Sequence, residues 1–175
     1  MKKIFIVGIM VLLSCVSIFA QNWTVDGSIS FRKDVSDGSD TTTYSIGLTV
    51  GYYIMEDLNI GLYGYFSKPA NGSNFEIGPR VKYDFLKFER IYFSMFGNFV
   101  YGRYFDQSAF GYNEPTYVLV ALRPAVFFAI SENIEAYWRF ADLYYNYIWT
   151  DSHTRSIFAL SGPFSNPTFG LMFRF

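Results

Sequence analysis

From Trp23 onward the chain alternates. Trp23, Val25, Gly27, Ile29 and Phe31 fall on one side of an extended backbone, and Thr24, Asp26, Ser28 and Ser30 fall on the other. Tyr44, Ile46, Leu48, Val50 and Tyr52 alternate with Thr43, Ser45, Gly47, Thr49 and Gly51. Leu58, Ile60 and Leu62 alternate with Asn59, Gly61 and Tyr63, and Phe75, Ile77, Val81, Tyr83 and Phe85 with Glu76, Gly78, Arg80, Lys82 and Asp84. Period two is the signature of strands with two different faces. A spanning helix needs roughly 17–25 apolar residues in a row, and no segment after residue 20 approaches that. The chain must therefore fold from strands.

Four further segments complete the set. Ile91–Tyr104 carries Phe93, Met95, Phe99 and Tyr101 on one face, with Phe96 and Val100 among Ser94, Asn98 and Gly102 on the other. Tyr117–Ile130 is apolar on both faces except at Arg123. Ile134, Ala136, Trp138 and Phe140 oppose Glu135, Tyr137, Arg139 and Ala141; Phe169, Leu171, Phe173 and Phe175 oppose Thr168, Gly170, Met172 and Arg174. The connectors alternate in length. Short ones are expected at Met55–Asp57, Lys87–Arg90 and Ser131–Asn133, and long ones at Arg32–Thr42, Ser67–Ser73, Phe105–Pro115 and about Thr150–Asn166. Short and long in turn describe an eight-stranded antiparallel up-and-down transmembrane β-barrel, an all-β fold, with tight turns at one rim and external loops at the other. Pro79 and Pro124 sit within strands and remove ladder donors, so bulges or interrupted pairing are expected there.

A soluble β-sandwich also alternates. Against it stands the composition: aromatics are 22% of the chain and charged residues only 17%. The oily face is aromatic on nearly every strand, while charges lie deep within strands on the other. Aromatics also mark strand ends: Trp23, Tyr52, Tyr53, Phe85 and Phe175 toward one rim, and Phe31, Tyr44, Phe66, Phe75 and Tyr101 toward the other. Such belts are expected at the two interfaces of a bilayer. In hydrocarbon an unpaired backbone group costs several kcal/mol, which forces the sheet to close.

The first twenty residues are read as an export signal. Lys2 and Lys3 precede the apolar run Ile4–Leu13, and Ala20 ends the segment before polar Gln21-Asn22. Cleavage after Ala20 is expected, leaving residues 21–175 as a single barrel domain; the alternative is lipidation at Cys15, in Leu12-Leu13-Ser14-Cys15. Cleavage removes the only cysteine and leaves 12 basic against 15 acidic residues. That excludes thiol chemistry in the mature chain and speaks against nucleic acid as a partner.

Three stretches carry a family resemblance: Phe75-Glu76-Ile77-Gly78-Pro79-Arg80-Val81-Lys82-Tyr83-Asp84-Phe85, the turn Ile54–Gly61, and Arg123–Ile134. With them the mature chain resembles the small outer-membrane protein β-barrel domain family, related in architecture to the OmpA transmembrane domain and OmpX and often grouped with porins. The resemblance implies a place in the outer membrane of a diderm bacterium, among outer-membrane lipids and lipopolysaccharide. The ending Phe169-Gly170-Leu171-Met172-Phe173-Arg174-Phe175 looks like the signal read by the outer-membrane assembly machinery. Phe169, Leu171, Phe173 and Phe175 would be its recognised side chains.

An eight-stranded barrel has an interior that side chains can fill. Its expected lumen charge network is Asp26, Glu76, Arg80, Lys82, Asp84, Arg123, Glu135, Arg139 and Arg174. Mixed signs in so narrow a space predict paired groups. The expected role is structural or surface-interacting, with four external loops offering a site for an unidentified ligand; the alternative is a narrow channel for small or apolar solutes. Catalysis is not expected. His153, the one histidine, stands in Asp151-Ser152-His153 with Ser156 near, and neighbours on one loop rarely form a triad. No metal or other cofactor is expected, and Asp34, Asp37 and Asp40 are read as solvated turn residues. Tyr144, Tyr145, Tyr147 and Trp149 are expected to prolong a strand beyond the bilayer, the alternative being a contact surface for sugars or proteins.

Overall fold

Extended segments leave their backbone donors and acceptors pointing sideways, so each strand in hydrocarbon needs a neighbour on both edges. The computed structural model describes residues 22–36, 39–68, 72–105, 115–150, 153–162 and 167–175, with backbone only at 32–36 and 39–41. The segment read as a signal peptide, and Asp37, lie outside the described residues. In chain order the strands are β1 (Trp23–Ser36), β2 (Ser39–Met55), β3 (Leu58–Lys68), β4 (Ser73–Phe88), β5 (Ile91–Phe105), β6 (Thr116–Ser131), β7 (Ile134–Arg139), β8 (Asp142–Trp149), β9 (Thr154–Ser161) and β10 (Thr168–Arg174). Among the described residues no helix is long and apolar enough to cross a membrane.

Neighbours from β1 to β6 pair in sequence, antiparallel throughout. β6 pairs with β7 along one half and β8 along the other, β8 with β9, and β10 with both β7 and β1. β7 with β8, and β9 with β10, thus act as the seventh and eighth staves of a closed eight-stranded barrel. Its shear follows from the register. From Gly27, pairs lead through Leu48, Gly64, Ile77 and Tyr101 to Val118. In the other direction they lead through Leu171 and Ala136 to Phe128, ten residues away on the same strand. A sheet that closes with such a stagger tilts its strands and leaves an interior that side chains fill.

Tight turns at Glu56-Asp57, Glu89-Arg90 and Glu132-Asn133 define one rim. Both ends of the described chain lie there, where Phe175 N–H donates to Trp23 C=O and Tyr53 N–H to Asn22 C=O. Glu89 has φ 45°, a left-handed conformation at a non-glycine residue. Lys87 and Asp57 form an ion pair across two of these turns.

Both prolines interrupt pairing. Ile77 pairs with Tyr101 and Arg80 with Asn98, and the Gly78-Pro79 step between them is unpaired with β5. A Cβ at Gly78 would lie 2.1 Å from Phe99 O, so only glycine permits this approach of the two backbones. Beside Pro124 the pairing partner changes. Ala125 pairs with Arg139 and Leu122 with Leu143, so one side gains a residue at Phe140-Ala141. Phe140 N–H donates to Pro124 C=O at this bulge.

The first and last long connectors are shorter than their expected spans, while those after β3 and β5 fall where expected. β1 runs to Ser36 and β2 starts at Ser39, and β9 occupies much of the span expected to be the last connector. The strands continue here and pair with each other. Among the described residues β9 has a partner on one edge only: β1 pairs with β10 over Thr24–Ser30, and no pairing of β1 with β9 is found there. Phe158 and Leu160 on β9 are 72% and 74% exposed, the highest values among the exposed large hydrophobics.

Candidate functional site

Alternation sorts the side chains by solvent. Tyr44, Ile46, Leu48, Val50 and Tyr52 of β2 point outward, each 38–59% exposed, and every stave adds similar residues. Thr24, Asp26, Thr49, Asn59, Lys82 and Asn98 point inward and are buried. A soluble fold does the reverse, so the closed sheet with an oily wall and a polar interior is a transmembrane barrel. Its candidate site is the lumen.

Toward the tight-turn rim, Lys82 is fully buried. Its Nζ donates to Tyr53 Oη at 2.7 Å and to Asp84 Oδ2 at 3.0 Å, and lies 3.8 Å from Glu135 Oε2. It also stands 4.2 Å from the Phe127 ring centre, while the Arg174 guanidinium covers the Tyr53 ring at 4.0 Å. Ser94 Oγ donates to Asp84 Oδ1. Tyr53, expected in the rim belt of aromatics, is instead inside and 4% exposed. Tyr52 already takes the outward position, so period two sends its neighbour to the lumen.

Midway, Arg80 meets Asp26 through two contacts. Nη1 donates to Oδ1 at 3.3 Å, and Nη2 is paired with Oδ2. Tyr137 Oη donates to Asp26 Oδ1 at 3.1 Å, and Arg80 lies 4.6 Å from the Phe96 ring centre. Tyr137 lies across Gly170, its pairing partner on β10, and Tyr117 lies across Gly102 in the same way. A Cβ at either glycine would meet the ring at 2.3 or 2.2 Å. Glycine opposite tyrosine thus lets a ring lie flat across the narrow interior.

Toward the other rim, Asp142 Oδ1 lies 3.0 Å from Arg139 Nε and 3.4 Å from Arg123 Nε. Arg139 Nη2 donates to Thr168 Oγ1 at 2.8 Å. Glu76 Oε1 accepts from Tyr117 Oη at 2.8 Å, and that hydroxyl also lies 2.7 Å from Asn74 Oδ1. Tyr63, Val100, Tyr117, Leu119 and Ala121 pack around these groups.

Of the nine residues expected in the lumen, Asp26, Glu76, Arg80, Lys82, Asp84, Arg123 and Arg139 are buried, and Glu135 and Arg174 are half-buried beside Lys82 and Tyr53. A tenth, Asp142, joins them and was missed. Counting from Arg139 puts Ala141 inward and Asp142 outward, but the Phe140-Ala141 bulge shifts the phase by one. The visible sign was that Leu143, Tyr145, Tyr147 and Trp149 alternate out of step with Ile134, Ala136 and Trp138. With Asp142 the described lumen holds five acids and five bases.

The other candidates sit apart. Phe169, Leu171, Phe173 and Phe175 face outward on the last stave. His153 N–H donates to Thr150 Oγ1 at the β8–β9 turn, while the Ser156 hydroxyl accepts from Tyr145 Oη on the wall. Asp151 and Ser152 lie outside the described residues; Asp34 and Asp40 are backbone positions of β1 and β2. No group of three His, Cys, Asp or Glu residues is placed to hold a metal ion among the described residues.

The chain is similar to solved structures, one of them with a TM-score above 0.5. Neisserial surface protein A (NspA) is similar at 17% identity and TM-score 0.61, over 87% of this chain and 97% of that one. A de novo designed transmembrane β-barrel aligns at 12% identity and TM-score 0.44, over 89% and 97%. OmpT, an outer membrane protein of Vibrio cholerae, aligns at 14% identity and TM-score 0.37, over 89% of this chain and 52% of its own. No family model and no curated protein matches the chain.

Proposed function

We propose that the chain is exported, cleaved after Ala20, and inserted into the outer membrane of a diderm bacterium as a structural or surface-interacting barrel of the OmpA/OmpX type. The observation that supports this reading is the set of buried ion pairs inside the barrel. Arg80 pairs with Asp26, Lys82 with Asp84 and Glu135, and Arg123 and Arg139 with Asp142; Lys82 has no exposed surface, and the Phe127 and Tyr137 rings stack beside it. A body closed in this way holds its external strand tips in fixed positions. Similarity to a protein named as a surface protein supports the placement. Outer-membrane lipids and lipopolysaccharide surround the wall, the last stave engages the assembly machinery through Phe169, Leu171, Phe173 and Phe175, and the external loops meet a ligand yet to be identified.

A narrow path for small or apolar solutes is the alternative. It draws on the polar atoms without partners in the upper lumen, among them Asn98 Nδ2 and Oδ1 and Asn146 Oδ1. Such a path must still pass the layers of Arg80 and Lys82. Planar-bilayer recording from purified protein separates the two: silence supports the closed body, and reproducible discrete openings support the path. Intact mass of protein taken from outer membranes tests processing. A chain beginning at Gln21 is expected, and an acylated Cys15 overturns that part.

A further inference from the structure

Between the middle and upper lumen layers lies a small cavity lined by Ser28, Tyr63, Arg80, Phe96, Asn98, Arg123, Tyr137 and Arg139. Its volume is about 10 Å³, room for one water-sized particle. The charged groups on its wall are three guanidiniums. The carboxylates that balance them stand behind: Asp26 is held by Arg80 and Tyr137, Asp142 by Arg123 and Arg139, and Glu76 by Tyr117 and Asn74.

The wall is also rich in unused donors. Asn98 is 3% exposed and Arg123 8%, yet Asn98 Nδ2 and Arg123 Nη1 make no hydrogen bond. Arg123 Nε and Arg139 Nε approach Asp142 without hydrogen-bond alignment. Against these four donors stand two orphaned acceptors, Asn98 Oδ1 on the wall and Asp142 Oδ1 behind it, so donors remain in excess. Leaving buried polar groups unmade costs about 1–3 kcal/mol each. A water divides its bonds between donating and accepting, whereas a monatomic anion only accepts. The tally fits the anion.

We propose that this cavity is a binding site for a single monatomic anion, of which chloride is the abundant example. Its size excludes sulfate and phosphate. The ion joins the Arg123–Asp142–Arg139 layer to the Arg80–Asp26 layer, so its binding braces the upper lumen. Because the lumen charges otherwise balance, the site acts through local donor geometry, and modest affinity is expected.

Crystals of the full protein grown in bromide test the site, with reversible urea unfolding in detergent as the second measurement. An anomalous peak is expected between Asn98, Arg123 and Arg139. Chloride in place of gluconate, at equal ionic strength, is expected to lower the unfolding equilibrium constant about threefold, the factor for an anion at twice its dissociation constant. Asn98→Asp supplies a tethered carboxylate where the anion would sit, and is expected to remove both the peak and the chloride dependence. Arg123→Met is expected to do the same; should it fail to fold, Asn98→Asp still decides. A water refined in the cavity with no anomalous peak overturns the proposal, as does a chloride effect equal in the wild type and Asn98→Asp.

Discussion

Arg80 and Asp26 are 54 positions apart in sequence, and the barrel brings them into a two-point ion pair with 5% and 1% of their side chains exposed. Removing one member leaves the other buried without compensation, which typically costs 3–5 kcal/mol. Asp26→Ala is therefore expected to lower stability by about 4 kcal/mol. Arg80→Met combined with Asp26→Leu is expected to cost less than the single change, since no charge is stranded. Urea unfolding in vesicles, followed by tryptophan fluorescence, compares them; a double variant weaker than the single would contradict the pairing.

Gly170 and Gly27 lie on one sheet but face opposite solvents. A Cβ at Gly170 meets the Tyr137 ring at 2.3 Å, while one at Gly27 meets nothing within 4 Å. Gly170→Ala is expected to destabilise by about 1–3 kcal/mol, the usual range for overpacking. Gly27→Ala is expected to stay within about 0.5 kcal/mol. Tyr137→Leu should relieve the first defect and leave the second unchanged, read by the same unfolding assay.

These contrasts also show what could be read from residues alone. Alternation over Trp23–Phe31, Tyr44–Tyr52 and Phe75–Phe85 fixes both faces, because the period is two and the oily side is unbroken. Pro79 and Pro124 reveal where ladders break. Which edge each proline disrupts depends on neighbours more than 15 positions away, which no local pattern carries. Asp142 escaped for that reason: its phase is set by a bulge opposite Pro124. The β9 strand escaped because Thr154–Ser161 begins with polar residues, as a loop would. Its strand character comes from pairing with β8.

The edge of β9 that has no partner among the described residues has a kinetic signature. In a strand paired on one side, alternate amides point to the unpaired side, and they exchange with water freely unless another group covers them. Hydrogen exchange is expected to show two classes of amide along Thr154–Ser161, fast and slow in alternation. Phe169–Phe173, paired on both sides, should be uniformly slow. Uniform protection of β9 would mean that its second edge is paired.

Glu89 carries a positive φ in a two-residue turn, a conformation that costs an ordinary residue roughly 1–2 kcal/mol. Glycine avoids this strain but loses about 0.5–1 kcal/mol in backbone entropy. Glu89→Gly is accordingly expected to stabilise the barrel by about 0.5–1 kcal/mol, seen as a higher urea midpoint with an unchanged slope. A lower midpoint would show that the Glu89 side chain contributes more than its backbone costs.

Nitroxide labels on single cysteines at Tyr44, Ile46, Leu48, Val50 and Tyr52 probe the wall without disturbing the lumen, since all five project outward. In vesicles, collision rates with oxygen should rise to a maximum at Leu48 and fall toward both ends, with a water-soluble nickel chelate showing the inverse profile. A nickel chelate that reaches Leu48 as readily as Tyr44 would place this face in water and refute a membrane-spanning barrel.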